Sequence, residues 1–135
     1  MSENEEKISK LILYWKMESE NDYQAALDVW KKAQRNTHSL FFLHLSIEKI
    51  LKAYLVFLHQ KHAPYSHNLL YLAEQAKIAL SEDQKKFLLE VNEFNLECRY
   101  PDQQNSLKEK ATATFMNLYL QKSEDFRSWI LEKLK

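Results

Sequence analysis

Glycine is absent from this chain of 135 residues, and proline occurs only at Pro64 and Pro101. Hairpin turns between strands depend on glycine or asparagine at positive backbone angles, whereas helices need no such residue. The composition therefore argues against a β-rich fold and favours an all-α one. Each proline also disfavours helical geometry in the residue before it, so breaks are predicted at Ala63 and Tyr100.

The chain is equally poor in cysteine and in net charge. Cys98 is the single cysteine, which excludes an internal disulfide and a cysteine-rich zinc site and is typical of a reducing compartment. Nineteen basic and nineteen acidic side chains cancel, so no global field favours nucleic acid or an anionic membrane. The first residues, MSENEEK, lack the basic-then-apolar order of a signal peptide. We expect a cytoplasmic protein without a cofactor, in which any anion binding comes from a local patch.

Residues 38–60, HSLFFLHLSIEKILKAYLVFLHQ, are apolar almost all the way round a helical wheel, as in a helix at the centre of a bundle. Charged residues interrupt this stretch too often for it to cross a membrane. His44, Glu48 and Lys52 follow one another at steps of four and share one stripe of the helix. That stripe either pairs its charges internally or presents them to a site. An unpaired buried charge is costly, so we expect Glu48 to pair with another helix, and Arg99 is the predicted partner.

Hydrophobic periodicity predicts four further helices with short connections, over residues 5–34, 67–78, 81–98 and 106–135. Thr37 and Ser66 are the predicted N-caps of the central and third helices. Ser81 and Ser106, each followed three residues later by glutamine or glutamate, predict capping boxes for the fourth and last helices. We therefore predict a single all-α domain spanning residues 1–135, an up-and-down bundle of four to five helices.

The end of the fourth helix, NEFNLECRYPD, is the main candidate site. Arg99, Tyr100 and Asp102 offer a guanidinium group, a phenol and a carboxylate around a turn fixed by proline. Together with Lys52, Arg99 would suit a phosphate group. The alternative is a structural clamp, in which Arg99 pairs with Glu48 or a neighbouring acid at the helix end.

Three histidines cluster around the loop after the central helix. His59, His62 and His67 lack a nearby acid or cysteine that would complete a tetrahedral set, so no metal site is predicted. His67 is expected to stabilise the start of the third helix or to bond a backbone carbonyl. His44 is expected to be partly buried and hydrogen-bonded.

Three motifs, in this order along the chain, resemble the HEPN domain (higher eukaryotes and prokaryotes nucleotide-binding). They are EKxLKAxL at residues 48–55, P-x-x-H-x-L at residues 64–69 and RYPD at residues 99–102. The resemblance covers nearly the whole chain, and it implies a bundle of four to five helices and usually a homodimer. Many prokaryotic members are encoded beside a minimal nucleotidyltransferase, with which they form a toxin–antitoxin pair or a two-part enzyme.

One branch of that family cleaves RNA with an arginine followed, after four to six residues, by a histidine. Arg99 supplies the arginine, but residues 100–106 read YPDQQNS and contain no histidine. Because RNA cleavage needs a proton-transfer group near pH 7, the incomplete motif favours a binding or regulatory subunit that contacts phosphate through Arg99 and the Lys52 stripe. Two alternatives stay open. One is a divergent endoribonuclease toxin in which His67, His44 or Tyr100 handles protons, and the other is a purely structural dimerisation module.

Overall fold

The chain forms six α-helices and no strand in a computed structural model that describes residues 2–135, apart from the side chains of Pro101 and Gln104. The helices are α1 Glu3–Ala33, α2 Asn36–His59, α3 Leu69–Gln75, α4 Glu82–Arg99, α5 Pro101–Lys110 and α6 Ala113–Lys133. The predicted all-α bundle is confirmed, with one helix more than expected. No helix among the described residues is long and apolar enough to span a bilayer.

The central position predicted for residues 38–60 is confirmed, since α2 contacts each of the other five helices. Most of its apolar side chains are buried, among them those of Leu40, Leu43, Ile47, Ile50 and Leu51, which are fully buried. A helix that is apolar all round gains most when every side of it is covered. The other helices therefore pack around α2, and its polar residues must find partners inside the bundle.

Helices α1 and α2 are antiparallel and lie close together through small side chains. Ser19 donates its hydroxyl to the carbonyl of Ser46 over 2.7 Å, and Ser46 donates its hydroxyl to the carbonyl of Ser19 over 2.8 Å. Arg127 of α6 donates from Nε to the Ser19 hydroxyl over 2.9 Å and from Nη1 to Glu20 over 2.9 Å. This buried polar network fixes three helices against one another.

The N-termini of the helices can be compared with the predicted N-caps. The capping box of Ser81 and Gln84 is present, with bonds of 2.9 and 3.1 Å. The predictions for Thr37 and Ser66 were wrong. Helix α2 begins one residue before Thr37, at Asn36, whereas the N-cap of α3 is Asn68, whose Oδ1 accepts the backbone N–H of Tyr71. At α2 the side chain of Asn36 accepts the N–H of Thr37, and at α3 the capping bond is made by Asn68, whereas the Ser66 hydroxyl accepts only the N–H of Asn68 before the helix.

The predicted capping box at Ser106 was also wrong, because Ser106 lies inside α5. Proline has no N–H to lose at the first turn of a helix, and its fixed φ suits that position. Pro101 thus starts a short helix as well as ending the previous one, and Tyr100 between them is extended at φ −112°. Helix α6 begins later, with Thr112 accepting the N–H of Phe115.

Candidate functional site

Glu48 is the centre of a buried polar cluster on α2. Its Oε2 lies 3.0 Å from Nζ of Lys52, and its Oε1 lies 2.9 Å from Nδ1 of His67. Lys52 is itself buried and lies over the ring of Trp15, 5.3 Å from the centroid. The carboxylate is therefore compensated by its own helix and by the loop that follows it, as a buried charge requires.

The predicted ion pair between Glu48 and Arg99 does not form. Arg99 is exposed and makes no ion pair or hydrogen bond with any residue that the structure describes. The physical reason is that Lys52 lies one turn further along α2 and reaches the carboxylate without help from α4. The guanidinium of Arg99 is consequently available to a ligand.

His44 lies one turn before Glu48 on α2 and fixes the backbone of the loop between α2 and α3. Its Nε2 lies 3.0 Å from the carbonyl oxygen of His67, so Nε2 carries the proton and donates it. Burial lowers the pKa of His44 to about 4, against the opposing pull of Glu48, while the positive charge of Arg99 adds a small lowering. The His44 ring is therefore neutral near pH 7 and serves to position residue 67.

His67 is fixed by its side chain as well as by its carbonyl. A carboxylate can only accept, so Nδ1–H of His67 donates to Glu48 and Nε2 is left available. The next residues are held by Asn92 of α4, which accepts the N–H of Leu69 over 2.8 Å and donates to Asn68 over 3.1 Å. The side chain of His67 is nonetheless 63% exposed, so an oriented imidazole faces solvent at the surface.

A cleft of about 350 Å³ opens between this loop and α4, and both His67 and Arg99 line it. Its other lining residues are Asn68, Asn92, Asn95 and Leu96. We call this the His67–Arg99 cleft. Guanidinium, imidazole and amide groups can all donate hydrogen bonds to phosphate or ribose oxygens. The cleft therefore has the donors that an anionic, hydroxyl-rich ligand requires.

Spacing on α4 explains how three of these side chains come together. Asn92, Asn95 and Arg99 are separated by three and four residues, which places them on one face of the helix. The neighbouring hollow on α4 is lined by Glu93, Glu97 and others, and its carboxylates would repel phosphate. The two asparagines were not singled out in the sequence, although their spacing relative to Arg99 was the available signal.

Of the predicted site residues, Arg99 and His67 line the cleft, and Glu48 and His44 bond to His67. Lys52 does not line the cleft, because it is buried and paired with Glu48. Tyr100 and Asp102 are exposed at the junction of α4 and α5 and do not line the cleft.

A smaller cavity of about 210 Å³ lies on the other side of Arg99, lined by Thr37, His38, Phe41 and Cys98. Burial raises the pKa of the Cys98 thiol to about 11, and its Sγ donates to the carbonyl of Thr37. A protonated thiol is a poor nucleophile, so this cavity offers no thiolate chemistry at neutral pH. Across the described part of the chain, no group of three or more His, Cys, Asp or Glu side chains could hold a metal ion.

Comparison with known proteins gave one result. The family model of the HEPN domain matches residues 12–133, a range that includes every residue lining the His67–Arg99 cleft. Neither the curated proteins nor the solved structures gave a significant match.

Proposed function

The chain belongs to the HEPN domain family, and from this premise we propose that it is a nucleotide- or RNA-binding subunit that holds phosphate in the His67–Arg99 cleft. The observation that supports the proposal is the exposed guanidinium of Arg99, which lines the cleft without a polar partner among the described residues. An arginine that served only as a clamp would be paired within the fold. Arginine recognises phosphate through two parallel hydrogen bonds, so the group is suited to this ligand.

The charge balance of the cleft supports the same ligand. The buried carboxylate of Glu48, which bonds to His67 at the edge of the cleft, is already compensated by Lys52 and by that hydrogen bond. Arg99 therefore adds a positive charge that no acid among the described residues cancels through an ion pair. Because the whole chain has a formal net charge of zero, attraction of phosphate depends on this local charge and should weaken with added salt.

In the experiment, purified protein is added to fluorescently labelled ATP or to a labelled RNA oligonucleotide. The fluorescence anisotropy of each ligand measures its binding. We expect Arg99→Ala to weaken binding of both at least about tenfold, since hydrogen bonds to charged groups contribute about 1.5–3 kcal/mol. Arg35→Ala is the matched control, because Arg35 is also exposed but lines neither cavity at Arg99. Equal affinities for wild type and Arg99→Ala would contradict the proposal.

The proposal extends to assembly. The protein acts in the cytoplasm as a homodimer and works with a separate nucleotidyltransferase, as a toxin–antitoxin-like pair. What supports this is the association of many prokaryotic members of the family with such a partner. A light-scattering mass near 16.2 kDa, that of one chain, would contradict the homodimer. Co-purification from the native host tests both the partner and any bound nucleic acid.

A second candidate function is a divergent endoribonuclease, and one observation favours it. The motif histidine is missing after Arg99, yet His67 lines the same cleft from another part of the chain. In this mechanism Nε2 of His67 takes the proton of a ribose 2′-hydroxyl while the 2′-oxygen attacks phosphorus. The bond to the 5′-oxygen breaks, the proton passes to that oxygen, and Arg99 stabilises the charge of the phosphorane. The products are a 2′,3′-cyclic phosphate and a 5′-hydroxyl.

Glu48 would hold the imidazole of His67 in the required tautomer through Nδ1. His44 does not suit this role, because its Nε2 is bonded to a carbonyl and the ring is buried. Incubation of labelled RNA with wild type, His67→Asn and Arg99→Ala separates the candidates. If wild type cleaves the RNA and His67→Asn binds it without cleaving it, the protein is an endoribonuclease. If wild type binds the RNA without cleaving it, the protein is a binding subunit.

A further inference from the structure

Tyr65 is the most exposed large hydrophobic side chain that the structure describes, at 96%. It lies in the loop between α2 and α3, three residues before Asn68. The ring of Tyr65 contacts the ring of His62, with 5.8 Å between the centroids, yet at this exposure most of its apolar surface still faces solvent. Such a ring is free to cover a flat ligand.

The loop that carries Tyr65 is fixed to the bundle. Ala63 is buried and packs with Ile8 and Val56 in a small apolar cluster. Ser66 donates its N–H to the carbonyl of Pro64 over 3.0 Å and accepts the N–H of Asn68 on its hydroxyl over 3.2 Å. Binding residues on loops are effective when a rigid scaffold positions them. Tyr65 is therefore presented from an ordered backbone, so a ligand has to order only its side chain and not the loop.

The surface beside Tyr65 joins the cleft described above. A shallow hollow of about 460 Å³ is lined by Pro64, Tyr65, Ser66, Asn68 and Tyr71, and we call it the tyrosine hollow. Asn68 lines both this hollow and the His67–Arg99 cleft. An aromatic surface thus adjoins a surface of cationic and amide donors, with one asparagine between them.

Asn68 has hydrogen-bonding capacity left at this boundary. Its Oδ1 accepts from the backbone N–H of Tyr71 and from Nδ2 of Asn92, so its oxygen is fixed inside the fold. An asparagine amide also carries two N–H donors, and those of Asn68 bond to no described residue. Donors at this point can meet the acceptors on a base edge or a ribose.

We propose that the tyrosine hollow binds an unpaired base of single-stranded RNA, stacked on Tyr65 and Tyr71, while the phosphate attached to that nucleotide occupies the His67–Arg99 cleft. The proposal rests on the proposed function and adds the form of the ligand to it. Bases in an RNA duplex are already stacked, and their edges are paired, whereas unpaired bases stack readily on tyrosine. Selection of single-stranded over double-stranded RNA follows.

The test uses the full chain and three probes: a single-stranded RNA hexamer containing 2-aminopurine, a 12-base-pair RNA duplex, and inorganic tripolyphosphate, which has no base. We expect Tyr65→Ala to weaken binding of the hexamer by about 5- to 100-fold and to abolish quenching of 2-aminopurine. Tyr65→Phe keeps the ring and should bind within about twofold of wild type. Tripolyphosphate should bind Tyr65→Ala as it binds wild type, and the duplex should bind more weakly than the hexamer.

Tyr14→Ala is the matched control, because Tyr14 is 52% exposed on α1 and lines neither the hollow nor the cleft. If Arg99→Ala loses the hexamer while Tyr65→Ala and the Tyr65→Ala/Tyr71→Ala double variant bind it normally, the inference is wrong and the proposed function stands. The tyrosine hollow would then be a surface for another protein. Equal affinity for hexamer and duplex would also overturn the inference. If wild type binds no probe, or Arg99→Ala changes none, the proposed function fails and the inference fails with it.

Discussion

His67 donates from Nδ1 to Oε1 of Glu48 over 2.9 Å, and this bond joins an exposed loop residue to a carboxylate buried in the central helix. Through it the interior of the bundle determines the orientation of a side chain at the surface. The contributions of the Glu48 cluster to stability and to binding can be separated experimentally, because His67 lines the cleft whereas Glu48 does not.

The pairing of Glu48 with Lys52 can be tested by removing one charge at a time. Glu48→Gln leaves the ammonium group of Lys52 buried without a counter-charge, and we expect a loss of about 3 kcal/mol in the free energy of unfolding. Glu48→Gln/Lys52→Met removes both charges and should recover most of that loss. Urea denaturation measures both. Lys32→Met, which breaks an exposed pair with Asp28, is the control and should have no measurable effect. A loss below about 1 kcal/mol for Glu48→Gln would contradict the buried pair.

His44 should make stability depend on pH. Its pKa is about 4 in the folded protein against an ordinary value of 6.5, so between these values the unfolded chain binds more protons than the folded one. The free energy of unfolding should therefore fall as the pH decreases from about 6.5 to about 4, by up to about 3 kcal/mol. His44→Gln keeps an N–H donor for the carbonyl of His67 but cannot titrate. Denaturation at several pH values should show a smaller slope for this variant, and an unchanged slope would rule out His44 as the source.

Arg99 should be dispensable for folding. It is exposed and bonds to no described residue, so we expect the Tm of Arg99→Ala to lie within about 2 °C of wild type. Circular dichroism during thermal unfolding measures the Tm of both proteins. A fall of several degrees, together with no binding of nucleotide or RNA by wild type, would favour the structural dimerisation module instead.

Arg127 should be as important for stability as Arg99 is unimportant. It is 5% exposed, bonds to Ser19 and Glu20, and lies over the ring of Tyr23. Arg127→Met should lower the free energy of unfolding by about 3 kcal/mol, because the buried hydroxyl of Ser19 loses its donor and the pair with Glu20 is broken. Arg127→Lys should rescue little of this, since lysine lacks the fork that serves both partners.

The control for this series is Arg35→Met, which removes an exposed arginine. Urea denaturation compares the three variants. If Arg35→Met and Arg127→Met lower the free energy of unfolding by the same amount, the buried network of Arg127 contributes nothing beyond what any arginine side chain contributes.

The fold followed from local features of the sequence, and the exceptions have identifiable causes. A chain without glycine and with helical periodicity leaves little alternative to an all-α bundle, and residues 38–60 could only be central because they are apolar on every side. Helix α5 was missed because Pro101 was interpreted only as a stop, although proline is equally suited to the first turn of a new helix.

The sequence identified only part of the candidate site: it pointed to Arg99 and His67, missed Asn92 and Asn95, and included Tyr100, which does not line the cleft. Motifs identified Arg99 and His67 separately, but their meeting depends on how α4 packs against the loop before α3, which no local pattern encodes. The prediction of Arg99 as the partner of Glu48 was wrong because it assumed that a buried acid needs a partner from another helix. The steps of four from His44 to Glu48 and from Glu48 to Lys52 already allowed compensation within α2.

The bond from His44 to the carbonyl of residue 67 has a consequence for how this protein can change. Every amino acid has a backbone carbonyl, so the bond that fixes the loop does not depend on which side chain stands at position 67. Substitution there replaces the group offered to the cleft while the loop remains in place. A lineage can therefore gain or lose a proton-transfer group beside Arg99 through a single codon, without rebuilding the surrounding bundle.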